Sequence, residues 1–173
     1  MKTKEESKVI KSKQKVWEGK SYTVNLTEEN IEHMKHRATV TKLNGWNMEQ
    51  YIESLNWSER EDWKEEAIQI FNETVAEVTV GTPATENLYS DRRAKTVVEV
   101  ISPRKIVVAE NETECIDYYA GEYKVLDEIA EYMSKEVFTL RKGGTWVAEG
   151  QPKKLGSVTL TLGYRRHYID PSF

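Results

Sequence analysis

The segment GTPATENLYSDRRAKTVVEVI, residues 81–101, decides how the chain is read. It opens on turn residues, Gly81, Thr82 and Pro83, and closes on TVVEVI, a β-branched run with the look of a strand. Between them stand Tyr89, Ser90, Asp91, Arg92 and Arg93: a ring, a hydroxyl, an acid and two guanidiniums in succession. Downstream the short runs KIVVAE, EVFTLRK, TWVAEG and SVTLTLGY follow, parted by SPR, KGG and QPKKLG turns. Lys142-Gly143-Gly144 marks a hairpin, because glycine supplies the positive φ of tight β-turns. Five short strands with tight turns predict a small, highly curved antiparallel β-barrel of SH3-like or Tudor-like type. Within it, YKVLDEIAEYM predicts a helix, since Val125, Ile129 and Met133 recur every four residues.

Upstream of Gly81 the period is helical. KSYTVNL reads as a short strand, after which Thr27 caps a helix with Ile31, Met34 and Ala38 on one face. Asn47 and Gln50 stand at capping-box spacing, and Ser58 and Glu61 repeat it before a longer helix. There Trp63, Ala67, Ile70, Phe71 and Thr74 form one apolar stripe. The first residues, MKTKEESKVIKSKQK, alternate lysine with polar groups and read as a flexible basic arm over 1–16. The expectation is an α+β chain: a helical N-terminal extension over 1–80 and a β-rich SH3-like barrel domain over 81–173.

Composition narrows the function. The net charge of −4 disfavours a globally basic nucleic-acid binder and leaves a local basic patch open. Cys115 is the only cysteine, so no internal disulfide forms and a cytoplasmic location is expected. No apolar run approaches the roughly 18 residues of a membrane span. His33 and His36 have ligand spacing, but nothing nearby completes a metal set. Cys115 has no activating motif, and no phosphate loop, dinucleotide fingerprint or nucleophile elbow occurs. The expectation is a protein without enzymatic activity, cofactor or metal.

Arginine beside an aromatic ring is the recurrent motif of the β half. Tyr89 precedes Arg92 and Arg93, Phe138 precedes Arg141, and Arg165, Arg166 and His167 lie between Tyr164 and Tyr168. Guanidinium forks suit phosphate and rings suit base stacking, so the three together predict a nucleotide or oligonucleotide site.

GTPATENLYSDRRAKTVVEV, KIVVAENETECID, VFTLRKGGTWVAEG and LGYRRHYIDPSF, in this order, resemble a family of small phage and prophage proteins over about 81–173. The functional association is with phage anti-Thoeris sponge proteins of the first described type. That resemblance implies a non-enzymatic anti-defence protein of the infected bacterial cytoplasm. It would bind a cyclic ADP-ribose isomer, the immune signal of a TIR-domain enzyme, and sequester it uncleaved. It implies a homo-oligomer with pockets between subunits, Phe138 stacking on the base and Arg165 (or Arg166) holding phosphate. Tyr89, Arg92, Arg141 and Tyr168 would complete the ligand site. A further basic residue expected after the second strand is replaced here by the acidic ENETECID, so that Arg92 or Arg104 would have to substitute. Two other readings stand beside it: an SH3-like module that binds nucleic acid or a host protein, and an inhibitor that masks a host enzyme surface.

Overall fold

A computed structural model describes residues 7–151 and 158–172. The chain forms two compact units: Met1–Thr41 with Asn47–Val75, and Lys42–Trp46 with Ala76–Phe173.

The first unit begins with an antiparallel hairpin of β1 (Val9–Trp17) and β2 (Lys20–Thr27). Glu18 and Gly19 between them have φ of 48° and 75°, the positive values a two-residue hairpin turn requires. The expected flexible arm over 1–16 is therefore a strand from Val9 onward; residues 1–6 lie outside the described part. The alternating lysines are strand periodicity, with polar groups where apolar ones are usual. Lys11 pairs with Glu66, Lys13 lies over the Trp63 ring, and Lys15 pairs with Asp62. Long lysine stems can cover apolar surface while their ammoniums stay solvated.

Helix α1 (Glu28–Leu43) follows directly. Thr27 caps it reciprocally: the Asn30 N–H donates to Thr27 Oγ1 at 3.3 Å, and the Thr27 N–H donates to Asn30 Oδ1 at 3.1 Å. Met34 and Ala38 pack with Leu26, Tyr51, Leu55, Trp63 and Ala67, and Ile31 flanks them. The Asn47–Gln50 capping box starts α2 (Met48–Glu53), with both bonds at 3.0 Å. The expected box at Ser58 and Glu61 does not form. Asn56 takes that role two residues earlier, its N–H donating to Glu59 Oε2 at 3.2 Å, so α3 is Trp57–Glu61. Ser58 instead donates to Asp62 at 3.1 Å, and α4 (Lys64–Glu73) starts afresh after Trp63. The Trp63–Ala67–Ile70–Phe71 stripe faces the core of this unit.

The second unit contains a closed antiparallel barrel of six strands: β3 (Pro83–Asn87), β4 (Arg92–Ser102), β5 (Lys105–Asp117), β7 (Glu136–Leu140), β8 (Trp146–Ala148) and β9 (Thr159–Leu162). The ring runs β4–β3–β9–β8–β7–β5 and closes through β5–β4. Five strands are expected from sequence; the sixth, β3, lies in the stretch read as turn. Pro83 is its first residue, a strand position where the missing N–H is tolerated. The KGG turn joins β7 to β8 as expected, Leu140 opposite Trp146.

The expected helix over YKVLDEIAEYM is instead β6 (Glu122–Ile129), paired with the outer end of β5. A spacing of four is twice the strand period, so Val125 and Ile129 share a face in a strand as they would in a helix. Gly121, with φ of 66°, turns the chain there; a Cβ would come within 2.6 Å of the Tyr168 ring.

The barrel core is Ala84, Val97, Ile106, Val108, Phe138, Trp146, Leu160 and Leu162, with Leu43 from the end of α1. The segment Lys42–Trp46 is bonded to it like an extra strand. Asn44 donates to the Leu162 carbonyl and accepts from the Leu162 N–H, both at 3.0 Å. Trp146 Nε1 donates to the Leu43 carbonyl at 3.2 Å, and Trp46 Nε1 to the Gly144 carbonyl at 2.6 Å.

Asn44→Ala leaves both backbone groups of Leu162 without their partner in a buried place, which costs about 1–3 kcal/mol. Urea unfolding is expected to show a lower midpoint with an unchanged slope; an unchanged midpoint would mean that Asn44 does not hold β9.

Candidate functional site

Inward residues alternate along each barrel strand, and on four strands their chemistry changes in one step. Ala84 is followed in phase by Glu86, Val97 is preceded by Lys95, Val108 is followed by Glu110, and Phe138 is preceded by Glu136. The register places these four charges together, Lys95 opposite Glu110 and Val108 opposite Glu136. One end of the barrel interior is thus apolar and the other charged.

Lys95 is fully buried there. Its Nζ lies 3.2 Å from Glu86 Oε2, 3.2 Å from Glu110 Oε2 and 3.3 Å from Glu136 Oε1. Arg93 Nη1 stands further off, 3.9 Å from Glu110 Oε2. Burial alone would depress the Lys95 ammonium, but the charges of Glu86, Glu136 and Glu110 hold it above its ordinary value of 10.5. Burial pushes the Glu86 carboxyl up, as do the charge and hydrogen bond of Glu136, and Lys95 only partly offsets them. Glu86 Oε2 is within ion-pair distance of Nζ but has no hydrogen-bond partner. His167, on the C-terminal segment, is pushed down by burial, and its Nδ1 also has no hydrogen-bond partner.

The charged end opens on a cavity of about 510 Å³ lined by Glu86, Glu136, Val137, Ala148, Glu149 and Val158, with Gly150 and Gln151. Small-molecule sites commonly measure roughly 300–1,000 Å³. Its fixed polar groups are mainly acceptors, suited to amino and hydroxyl donors. Lys95, held protonated, offers no nucleophile near neutral pH.

The residues expected from sequence lie mostly elsewhere. Phe138 is a core residue of the barrel without an exposed face, because it is in phase with the inward positions of β7. The expected base-stacking ring is therefore interior packing. Arg165 is engaged within the chain: Nε donates to Thr96 Oγ1 at 3.0 Å and Nη1 to Asp127 Oδ1 at 2.7 Å. The Thr96 hydroxyl donates to Asn111 Oδ1 at 2.8 Å, and Asn111 Nδ2 donates to the Leu126 carbonyl at 3.1 Å, which ties β4, β5 and β6 together. Arg92 caps its own turn, donating to the carbonyls of Leu88 and Asp91 at 3.0 and 2.7 Å. Arg104 donates to the Leu140 carbonyl at 2.9 Å. Arg141 is exposed in the β7–β8 turn, and Tyr89 is 97 % exposed before β4. Arg166 and Tyr168 do come together, with the guanidinium 5.9 Å from the ring centre. In the other unit His33 Nδ1 meets the buried Glu59 Oε2 at 2.8 Å, while His36 is exposed. Cys115 is exposed on β5.

Glu86, Lys95, Glu110 and Glu136 escaped the sequence reading, although a signal exists: each is a charge in phase with an apolar strand face. Among the described residues no group of three or more His, Cys, Asp or Glu could hold a metal ion. No described helix is long and apolar enough to cross a membrane. Comparison with protein-family models, curated proteins and solved structures finds no match to this chain.

The raised Glu86 carboxyl has a signed consequence. The unfolded side chain ionises from its ordinary value of 4.5, while the folded one keeps its proton to higher pH. Its contribution to stability is therefore present in full below 4.5 and lost as pH rises through the folded value. Glu86→Gln, which resembles the protonated form, is expected to match the native protein near pH 4 and to gain on it as pH rises. Urea unfolding across pH 4 to 8 checks this; a difference that runs the opposite way would make Glu86 an ionised partner of Lys95.

Proposed function

We propose that the chain is a non-enzymatic binding protein that takes a small molecule into the charged mouth of an SH3-like barrel and holds it unchanged. The observation that carries this reading is the 510 Å³ cavity at the mouth, walled by the carboxylates of Glu86 on β3, Glu136 on β7 and Glu149 just after β8. Preformed concavity with a few fixed polar groups is the common form of a small-molecule site.

Sequestration of a cyclic ADP-ribose isomer, in the cytoplasm of an infected bacterium, is the form of this reading that the family resemblance implies. In that form the amino and hydroxyl donors of the ligand meet Glu136 and Glu149. Its phosphates stay clear of these carboxylates and use Arg166, whose side chain is exposed beside Tyr168. Arg92 and Arg165 would serve only by exchanging their present partners for phosphate. A homo-oligomer would add a second wall to the mouth.

A second reading, docking of nucleic acid or a host protein, is favoured by the exposed aromatic side chains Tyr89, Tyr118, Tyr119 and Tyr132. Tyr118 and Tyr119 stand edge to face with centres 5.8 Å apart at the β5–β6 turn.

Protein exposed to the product of a TIR-domain enzyme, or to cell extract, is heated and the released small molecules are identified by mass spectrometry. An intact molecule is expected from the native protein, and at least about tenfold less from Ala148→Phe, whose ring fills part of the cavity. No released molecule, or equal release from the folded variant, would overturn the mouth as the site.

A further inference from the structure

The charges gathered at the barrel mouth do not cancel. Glu86 on β3, Glu110 on β5 and Glu136 on β7 supply three carboxylates, and Arg93 and Lys95 on β4 supply two cations. Glu149, after β8, pairs with Lys105 at 2.9 Å. His167 lies within the influence of Glu110, Arg93, Asp91 and Lys95, and burial favours its neutral ring. With every carboxylate ionised, the inner cluster carries one uncompensated negative charge. A charge without its counter-ion in a buried place is costly, and such a site relieves it by taking up a cation or a proton.

Glu86, the candidate for that proton, lines the cavity beside Glu136. The Glu86 side chain lines the cavity but is only 4 % exposed, and its Oε2 is buried 3.2 Å from Lys95 Nζ without a hydrogen bond. Glu136 lines the same cavity, is 33 % exposed, and has only its Oε1 in contact with Lys95. Beyond them the wall turns apolar at Val137, Ala148 and Val158.

Resting on the reading of the mouth as a ligand site, we propose that it receives the protonated amine of a small molecule with an apolar body, and that the amine replaces a proton held by Glu86 beside Glu136. One ammonium enters and one proton leaves to solvent, so the charge of the mouth is the same before and after. The amine donates to Glu136, the more exposed of the two carboxylates, and the apolar body lies against Val137, Ala148 and Val158. An anion at that point would meet the carboxylates first. A divalent cation would need about six or more oxygen ligands, and Lys95 already occupies the point where the three carboxylates converge. Because a proton competes for the same place, the amine binds more weakly as pH falls.

The probe is n-hexylammonium, titrated at pH 7 against the full chain with backbone amide NMR, beside 1-hexanol, hexanoate and magnesium chloride. Hexylammonium is expected to shift the amides of Val137 and Ala148 and to bind at least about tenfold more tightly than hexanol. Calorimetry in two buffers of different ionisation heat is expected to show about one proton released per amine bound. Glu136→Gln is expected to weaken the amine about tenfold or more and abolish the proton release, while Ala148→Phe blocks binding without touching a carboxylate. If hexanol or hexanoate binds the same amides as tightly, or magnesium takes the place of the amine, the amine proposal falls and the mouth remains a ligand site. Amine binding without proton release overturns the exchange. If none of the four shifts these amides, both the proposal and the ligand-site reading fail.

Discussion

A single ammonium, Nζ of Lys95, sits where three barrel strands each deliver a carboxylate. Around it the geometry of one end of the barrel is fixed. Glu86, Glu110 and Glu136 come from β3, β5 and β7, so the ion cluster spans strands that are far apart in sequence and adjacent in the sheet. Buried ion clusters of this kind add little net stability over apolar packing, but removing the central ammonium costs about 3–5 kcal/mol because its carboxylates are left uncompensated. The cluster thus specifies the arrangement more than it stabilises it. The same constraint shapes the candidate site: a wall of carboxylates, pinned by Lys95, lines a cavity whose polar groups are acceptors.

The opposite end is organised by hydrogen bonds to the chain itself. Asn44 imitates a strand partner for Leu162, and the indoles of Trp46 and Trp146 donate to carbonyls of Gly144 and Leu43. Gly144, with φ of 77°, is required there, since a Cβ would come within 2.9 Å of the Gly45 carbonyl. The barrel is therefore lined with apolar side chains at one end, beside a cavity of about 440 Å³ bordered by Leu43, Leu140 and Trp146, and opens on the charged cavity at the other.

The β-branched runs and the KGG turn made most barrel strands legible, because a period of two with turn residues at its ends has few other meanings. Two elements misled for physical reasons. Pro83 disguised β3 as turn, although proline is tolerated as the first residue of a strand. In β6 the four-residue spacing of Val125 and Ile129 fits helix and strand alike, and only pairing with the outer half of β5 decides between them. The candidate site was less legible. Arg92 and Arg165 look like free phosphate ligands until their carbonyl, hydroxyl and carboxylate partners are known, and those partners lie as far as 69 residues away. Phe138 reads as an exposed ring only if its strand phase is ignored. Lys95 and its three carboxylates are scattered over 51 residues, from Glu86 to Glu136, and closure of the barrel is what makes them neighbours.

The arrangement of the mouth depends on Lys95 being a charged ammonium inside the barrel. Its side-chain nitrogen, followed by ¹H–¹⁵N NMR across pH, tests this most directly. Surrounded by three carboxylates, it is expected to remain protonated past its ordinary value of 10.5, with ammonium protons that exchange slowly with water. A Lys95 nitrogen that loses its proton below 10.5 would show that burial outweighs the carboxylates, and would contradict the arrangement of the mouth on which the functional reading rests.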